Sequence, residues 1–127
     1  MNEHIVKAYD EDLKALHGLI HLMGEKTLEQ IRKAAQSILE RDGKLAHEVI
    51  DQDAEINLLE TKVDELAIRI LALRQPVASD LRMVVAALKI SNQVERIADY
   101  AVNIAKRTLI LLKMPPFQAV EGLSTLV

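Results

Sequence analysis

Apolar and small side chains recur three or four residues apart along most of this chain, the spacing that lines up side chains on one face of an α-helix. From about Glu3 to Arg41 the recurring positions are Leu13, Leu16, Ile20, Met23, Thr27, Ile31, Ala34 and Ile38, which draw one stripe along a long helix. Gly43 follows as its predicted stop. A second helix is predicted from about Lys44 to Arg74, with Val49, Ile56, Leu59, Val63, Leu66 and Ile70 on its apolar face. It ends ahead of Gln75-Pro76, because the residue before a proline is pushed out of the helical region. Ser79 or Asp80 offers an oxygen to the free N–H groups of a third helix, which runs to about Lys113 and stops at Met114-Pro115-Pro116. Phe117 to Val127 can begin a further helix but is too short to bury a face alone.

Three helices of roughly 30–38 residues, about 45–57 Å long at 1.5 Å per residue, with short connections between them, must run up, down and up. The expected fold is all-α: a long antiparallel three-helix bundle over residues 1–113, with 114–127 a linker and the start of a further helix. Composition supports a folded core, with 50% hydrophobic and 28% charged residues in a chain of 127. The few aromatics (Tyr9, Tyr100 and Phe117) leave Leu, Ile, Val and Ala to pack helix on helix. The absence of cysteine removes disulfides, thiolate zinc sites and thiol nucleophiles, and makes a reducing, cytoplasmic setting the expectation. No leader pattern and no apolar run of about 18 residues is present, so the expected protein is soluble and at most peripheral to a membrane. A net charge of −3 gives no general attraction to nucleic acid, which is not an expected partner.

Candidate chemistry lies in two acidic pairs. Glu60-x-x-x-Asp64 and Glu95-x-x-x-Asp99 each place two carboxylates on one helix face, an arrangement that destabilises an isolated helix by about 0.2–0.5 kcal/mol. Elsewhere the chain uses the favourable version, in Glu3/Lys7, Glu29/Lys33, Glu40/Lys44 and Glu65/Arg69. On a helical wheel Asp53, Asn57, Glu60 and Asp64 form a stripe bordering the apolar face, and Glu95 and Asp99 share a sector with Val84, Leu88, Ser91 and Val102. Carboxylates crowded together near apolar surface must meet cations or donors, or take up protons. Two solutions stand open. Hard, oxygen-preferring ions such as Mg²⁺, Ca²⁺, Mn²⁺ or iron suit the donor set, and so do ion pairs from Arg74, Arg82, Arg96 or Lys106. His17 and His21, also four apart, read as a solvated pair. Arg82, Lys89, Arg96 and Arg107 could form a basic strip, and Tyr100 could donate beside the acids.

Arg74-Gln75-Pro76-Val77-Ala78-Ser79-Asp80-Leu81-Arg82, followed by Glu95-Arg96-Ile97-Ala98-Asp99-Tyr100-Ala101-Val102-Asn103-Ile104-Ala105, resembles the PhoU family of phosphate-uptake regulators. With Asp53-x-x-Ile56-Asn57-x-x-Glu60-x-x-x-Asp64, the likeness covers most of residues 1–113 and is to the N-terminal half of the family. The resemblance implies a unit of a protein built from two tandem three-helix repeats, whose acidic clusters bind multinuclear iron, zinc or other divalent ions. It implies a cytoplasmic negative regulator acting between a phosphate ABC transporter and a sensor histidine kinase, without catalysis. Carried over by position, the metal ligands are Glu95 and Asp99 on the third helix and Asp53, Glu60 and Asp64 on the second. Two features depart from the family pattern. Asn57 stands where members often carry an acid, which puts metal affinity or nuclearity in question. The chain also supplies one repeat in place of two, so it is either a piece of a longer protein or a unit that forms a homodimer. The alternatives are a metal-free helical interaction or oligomerisation module, and a di-iron carboxylate oxidase. The oxidase needs Glu-x-x-His pairs, and none of His4, His17, His21 or His47 has Glu three residues earlier.

Overall fold

The computed structural model describes residues 3–115. They form α1 (Glu3–Leu39), α2 (Gly43–Arg74) and α3 (Ala78–Leu111), running up, down and up, with each helix packed on the other two. The expected further helix start falls on residues 116–127, outside the described residues.

The core row follows positions three and four residues apart, with Leu59 on α2 and Val102 on α3 buried beside it. In α2 they are Ala46, Val49, Ile56, Val63, Ala67 and Ile70, and the two places this rhythm skips are filled by half-buried Asp53 and Glu60. In α3 the same rhythm runs through Val84, Ala87, Ser91, Val94, Ala98, Ala101, Ala105 and Thr108. This is a coiled-coil seam, and its many Ala and Ser residues on α3 let the helices approach closely. In α1 the seam passes through Leu16, Ile20, Met23, Thr27, Gln30, Ala34 and Ser37. The predicted stripe drifted by one residue here: Gln30 and Ser37 are buried, whereas Ile31 and Ile38 are half-buried. Register decides burial over side-chain type, and several of the buried polar groups find partners. Gln30 Nε2 donates to the Val49 carbonyl at 3.1 Å, and Ser37 Oγ donates to Ala34 O at 2.7 Å while lying 3.1 Å from Thr108 Oγ1.

The helix ends differ from expectation in two places. Gly43 does not stop α1. The chain turns at Arg41, in the left-handed region with φ 52°, and Gly43 opens α2 behind Asp42, whose Oδ1 accepts from Leu45 N at 3.0 Å. Gly43 suits a close approach instead, since a Cβ there would lie 2.8 Å from Leu112 Cδ1. Neither Ser79 nor Asp80 caps α3, which starts at Ala78 behind an uncapped Val77. Asp80 serves a longer reach, accepting from Tyr9 Oη at 2.8 Å and tying the first turns of α1 and α3 together. That bond and the Ser37/Thr108 contact each join residues 71 apart, and Met23 meets Ser91 at a separation of 68, so α1 and α3 run parallel with an offset that stays within one helical turn.

Candidate functional site

Three helices enclose three grooves, and the side chains flanking the seam give each a different chemistry. Between α1 and α2 the rims carry ion pairs: Lys26 to Glu55 at 2.7 Å, Lys33 to Glu48 at 3.0 Å, and Arg74 to Asp12 at 3.3 Å. Between α1 and α3 the groove is apolar, lined by Leu16, Ile20, Met83, Ala86 and Ile90, with His17 at its edge.

Between α2 and α3 lie the acids. Asp53 and Glu60 hold seam positions on α2, Asp64 follows the buried Val63, and on α3 Glu95 and Asp99 follow Val94 and Ala98. All but Asp99 are half-buried. Because α2 and α3 are antiparallel, a carboxylate on one helix faces those on the other. Glu95 registers this most strongly, its carboxyl pushed up to about 7 by burial first, then by the Asp99 charge, a hydrogen bond with Asp99, and the charges of Glu60 and Asp53. Burial, then Asp64 and Asp99, raise Glu60 as well. The structure therefore brings all five sequence-selected acids into one electrostatic cluster.

Their partners are few. Asp53 Oδ2 accepts from Asn57 Nδ2 at 3.4 Å, while Asp53 Oδ1 is buried with no hydrogen-bond partner. Among the described residues, the ion pairs leave out all five acids, and Arg74, one of the cations that could have answered them, is engaged by Asp12. A groove of oxygen donors without resident cations can hold protons, as Glu95 does, or hard cations. An orphaned carboxylate oxygen and a carboxyl held near neutral are what such a donor set shows when its charge is uncompensated, so the residues fit a divalent ion in kind. Among the described residues no three acidic or histidine side chains are already gathered about one ion-sized point, so the carboxylates must turn toward one another to share one.

The other candidates separate. His21 Nε2 lies 3.1 Å from Glu25 Oε1 on the surface, and His17 borders the apolar groove. Tyr100 is exposed. Sequence reading placed Asp53 and Glu60 beside the apolar face, whereas they sit in the seam itself; the unbroken three-four alternation was the available signal. It missed Thr27 and Gln30, seam residues of α1 whose Oγ1 and Oε1 are also buried without partners.

Residues 20–108 match the family model described as the PhoU domain. A phosphate-specific transport system accessory protein PhoU homolog of Zymomonas mobilis is 46% identical over 111 residues, covering 87% of this chain and 47% of that protein. The homolog of the same name from Caulobacter vibrioides is 44% identical over 119 residues, covering 94% of this chain and 52% of its own. The crystal structure of PhoU from Pseudomonas aeruginosa superposes with a TM-score of 0.82 at 34% identity, over 89% of this chain and 55% of that one. The chain thus spans about half the length of the curated relatives it matches. Among the described residues no helix is long and apolar enough to cross a membrane.

Proposed function

We propose that this chain, which belongs to the PhoU domain family, is a regulatory accessory component of phosphate transport, that its α2/α3 groove takes a divalent cation, and that two copies of it pair. The observation that carries the reading is the acidic groove: five carboxylates, one with an orphaned buried oxygen and one held protonated near neutrality, on a domain shared with phosphate transport accessory proteins. Glu95, Asp99, Glu60, Asp64 and Asp53 would hold the ion. Iron or zinc follows from the resemblance, and magnesium or manganese suit the oxygen donors equally. A bound divalent ion would supply the positive charge that this groove lacks. The residues would do the rest: Glu95 and Asp99 give up their shared proton, Asp53 offers its unpartnered buried oxygen, and the seam beneath keeps α2 and α3 in register.

The role is regulatory, not catalytic. The partners proposed are a phosphate ABC transporter and a sensor histidine kinase on the cytoplasmic side of the membrane, to which the chain would be peripheral. Two measurements test this. Elemental analysis of protein purified without chelator is expected to find stoichiometric divalent metal that Glu95→Ala and Asp99→Ala reduce while helicity is kept; full metal content in both variants would sink the ligand assignment. In a host lacking its own PhoU, the chain is expected to restore repression of a phosphate-starvation reporter in high phosphate. A reporter that stays on, when a full-length relative silences it, would overturn the regulatory reading.

A further inference from the structure

Among the described residues, the buried side-chain oxygens without a partner are Thr27 Oγ1, Gln30 Oε1 and Asp53 Oδ1, and all three fall at one level of the bundle. Across α1 and α2, Lys26 pairs with Glu55 and Lys33 meets Glu48 and Gln52, so residues 26–33 of α1 lie against 48–55 of α2. On α1, Thr27 and Gln30 stand between Met23 of one apolar cluster and Ala34 of another; on α2, Asp53 stands between Ile56 and Val49 of the same two clusters. The other buried hydroxyls of the seam are engaged. Ser37 and Thr108 bond to carbonyls of their own helices and lie 3.1 Å apart, and Ser91 Oγ donates to Met23 Sδ at 3.6 Å. Burying a polar group without a hydrogen bond is costly, and here that cost is gathered in one place.

The donor and acceptor inventory of this level suits one small molecule. The Val49 carbonyl can only accept, so it fixes the Gln30 amide with Nε2 toward it and leaves Oε1 as the free end. Val49 lies one turn before Asp53, which brings the Gln30 head group to the same turn of α2. An amide oxygen and a carboxylate oxygen need donors, whereas the Thr27 hydroxyl has a proton to give. Water supplies two donors and accepts the third bond. A polar recess of about 110 Å³ between α1 and α2 opens at this level, lined by Lys26, Glu29, Gln52, Glu55 and Ile56, and three of these directly precede Thr27, Gln30 and Asp53. It is roomy enough to admit a water, whose share of liquid volume is ~30 Å³.

We infer that Thr27, Gln30 and Asp53 form an internal water site, in which one molecule donates to Gln30 Oε1 and Asp53 Oδ1 and accepts from Thr27 Oγ1, so that α1 holds Asp53 in place for the α2/α3 groove. A carboxylate oxygen has two lone pairs, so this bond fixes the orientation of Asp53 and still leaves it able to face a cation. Thr27 and Gln30 are then positioning residues, acting on a candidate ligand from the far side of the core. The water site rests on the seam alone; the positioning rests on the cation reading above.

A crystal structure of the whole chain grown in chelator is expected to show one ordered water within hydrogen-bonding distance of all three oxygens. No density there, or a peak at the shorter distances of a metal ion, overturns the site. Thr27→Val keeps the side chain's shape and removes the hydroxyl, and is expected to lower the melting temperature in chelator by a few degrees. A melting temperature unchanged or raised means that the hydroxyl bonds to nothing, and overturns the site as well. With Mn²⁺ as the probe, Thr27→Val is expected to bind about tenfold more weakly than the unaltered chain, and Thr27→Ser, which keeps the hydroxyl, to match it. The density is read on the unaltered chain, so the site stays testable if Thr27→Val fails to fold. A lowered melting temperature with unchanged Mn²⁺ binding supports the water and overturns the positioning. An unaltered chain that takes up no Mn²⁺ overturns the cation reading and the positioning with it, while density and melting still decide the water.

Discussion

Glu95 is expected to make the stability of this protein depend on pH. Burial first, and then the neighbouring Asp99, Glu60 and Asp53, push its carboxyl up from 4.5 to about 7, so between those values the folded form holds a proton that the unfolded form has released. The stabilisation this gives is complete below about pH 4.5 and is lost as pH rises through about 7. In chelator, the melting temperature is therefore expected to fall across that interval, and Glu95→Gln to flatten the fall and leave the protein more stable above it. An unaltered slope in the variant would show that Glu95 is not the group responsible. Tyr9 poses the complementary case. Burial first, and then the bond to Asp80, push its hydroxyl up to about 12, so it stays a donor throughout the physiological range. Tyr9→Phe strips the half-buried Asp80 of that donor and is expected to cost about 1–2 kcal/mol in urea unfolding. An unchanged midpoint would mean that water replaces the hydroxyl without loss.

At the scale of the helix, what the sequence reveals depends on what each signal measures. Proline and the three-four rhythm located all three helices, because both act on the backbone of the segment that carries them. Caps were less legible: Asp80 looks like a capping residue, but its carboxylate is claimed by Tyr9, which lies 71 residues away in sequence and beside it only after folding. Gly43 misled for the same reason, its requirement being space for Leu112 and not a turn of its own. Gly18 tests the reverse situation. It lies in the interior of α1 with nothing within 4 Å of an added Cβ, so Gly18→Ala is expected to stabilise the protein by roughly 0.5–1 kcal/mol, read by thermal or urea unfolding. A loss of stability would reveal a contact that the isolated bundle lacks.

For the molecule as a whole, the seam and the acidic groove are one construction. Ile56 is buried between Asp53 and Glu60 in a cluster with Met23, Leu59 and Ala98, directly beneath the carboxylates. Ile56→Ala is expected to lower stability by about 2–5 kcal/mol through the cavity it leaves, measured by urea unfolding; a loss well under 1 kcal/mol would show that the seam collapses to fill it. The acids themselves were visible as spaced pairs on single helices. That α2 would turn its pair toward that of α3 was not, because a helical wheel says which residues share a face and not which face meets which neighbour. If, as proposed, a cation binds between α2 and α3 and two copies pair, thermodynamic reciprocity links the two: saturating both cation sites of the pair changes its dissociation constant by the square of the factor by which pairing changes each site's affinity. Cation titrations at low and high protein concentration would read that link directly.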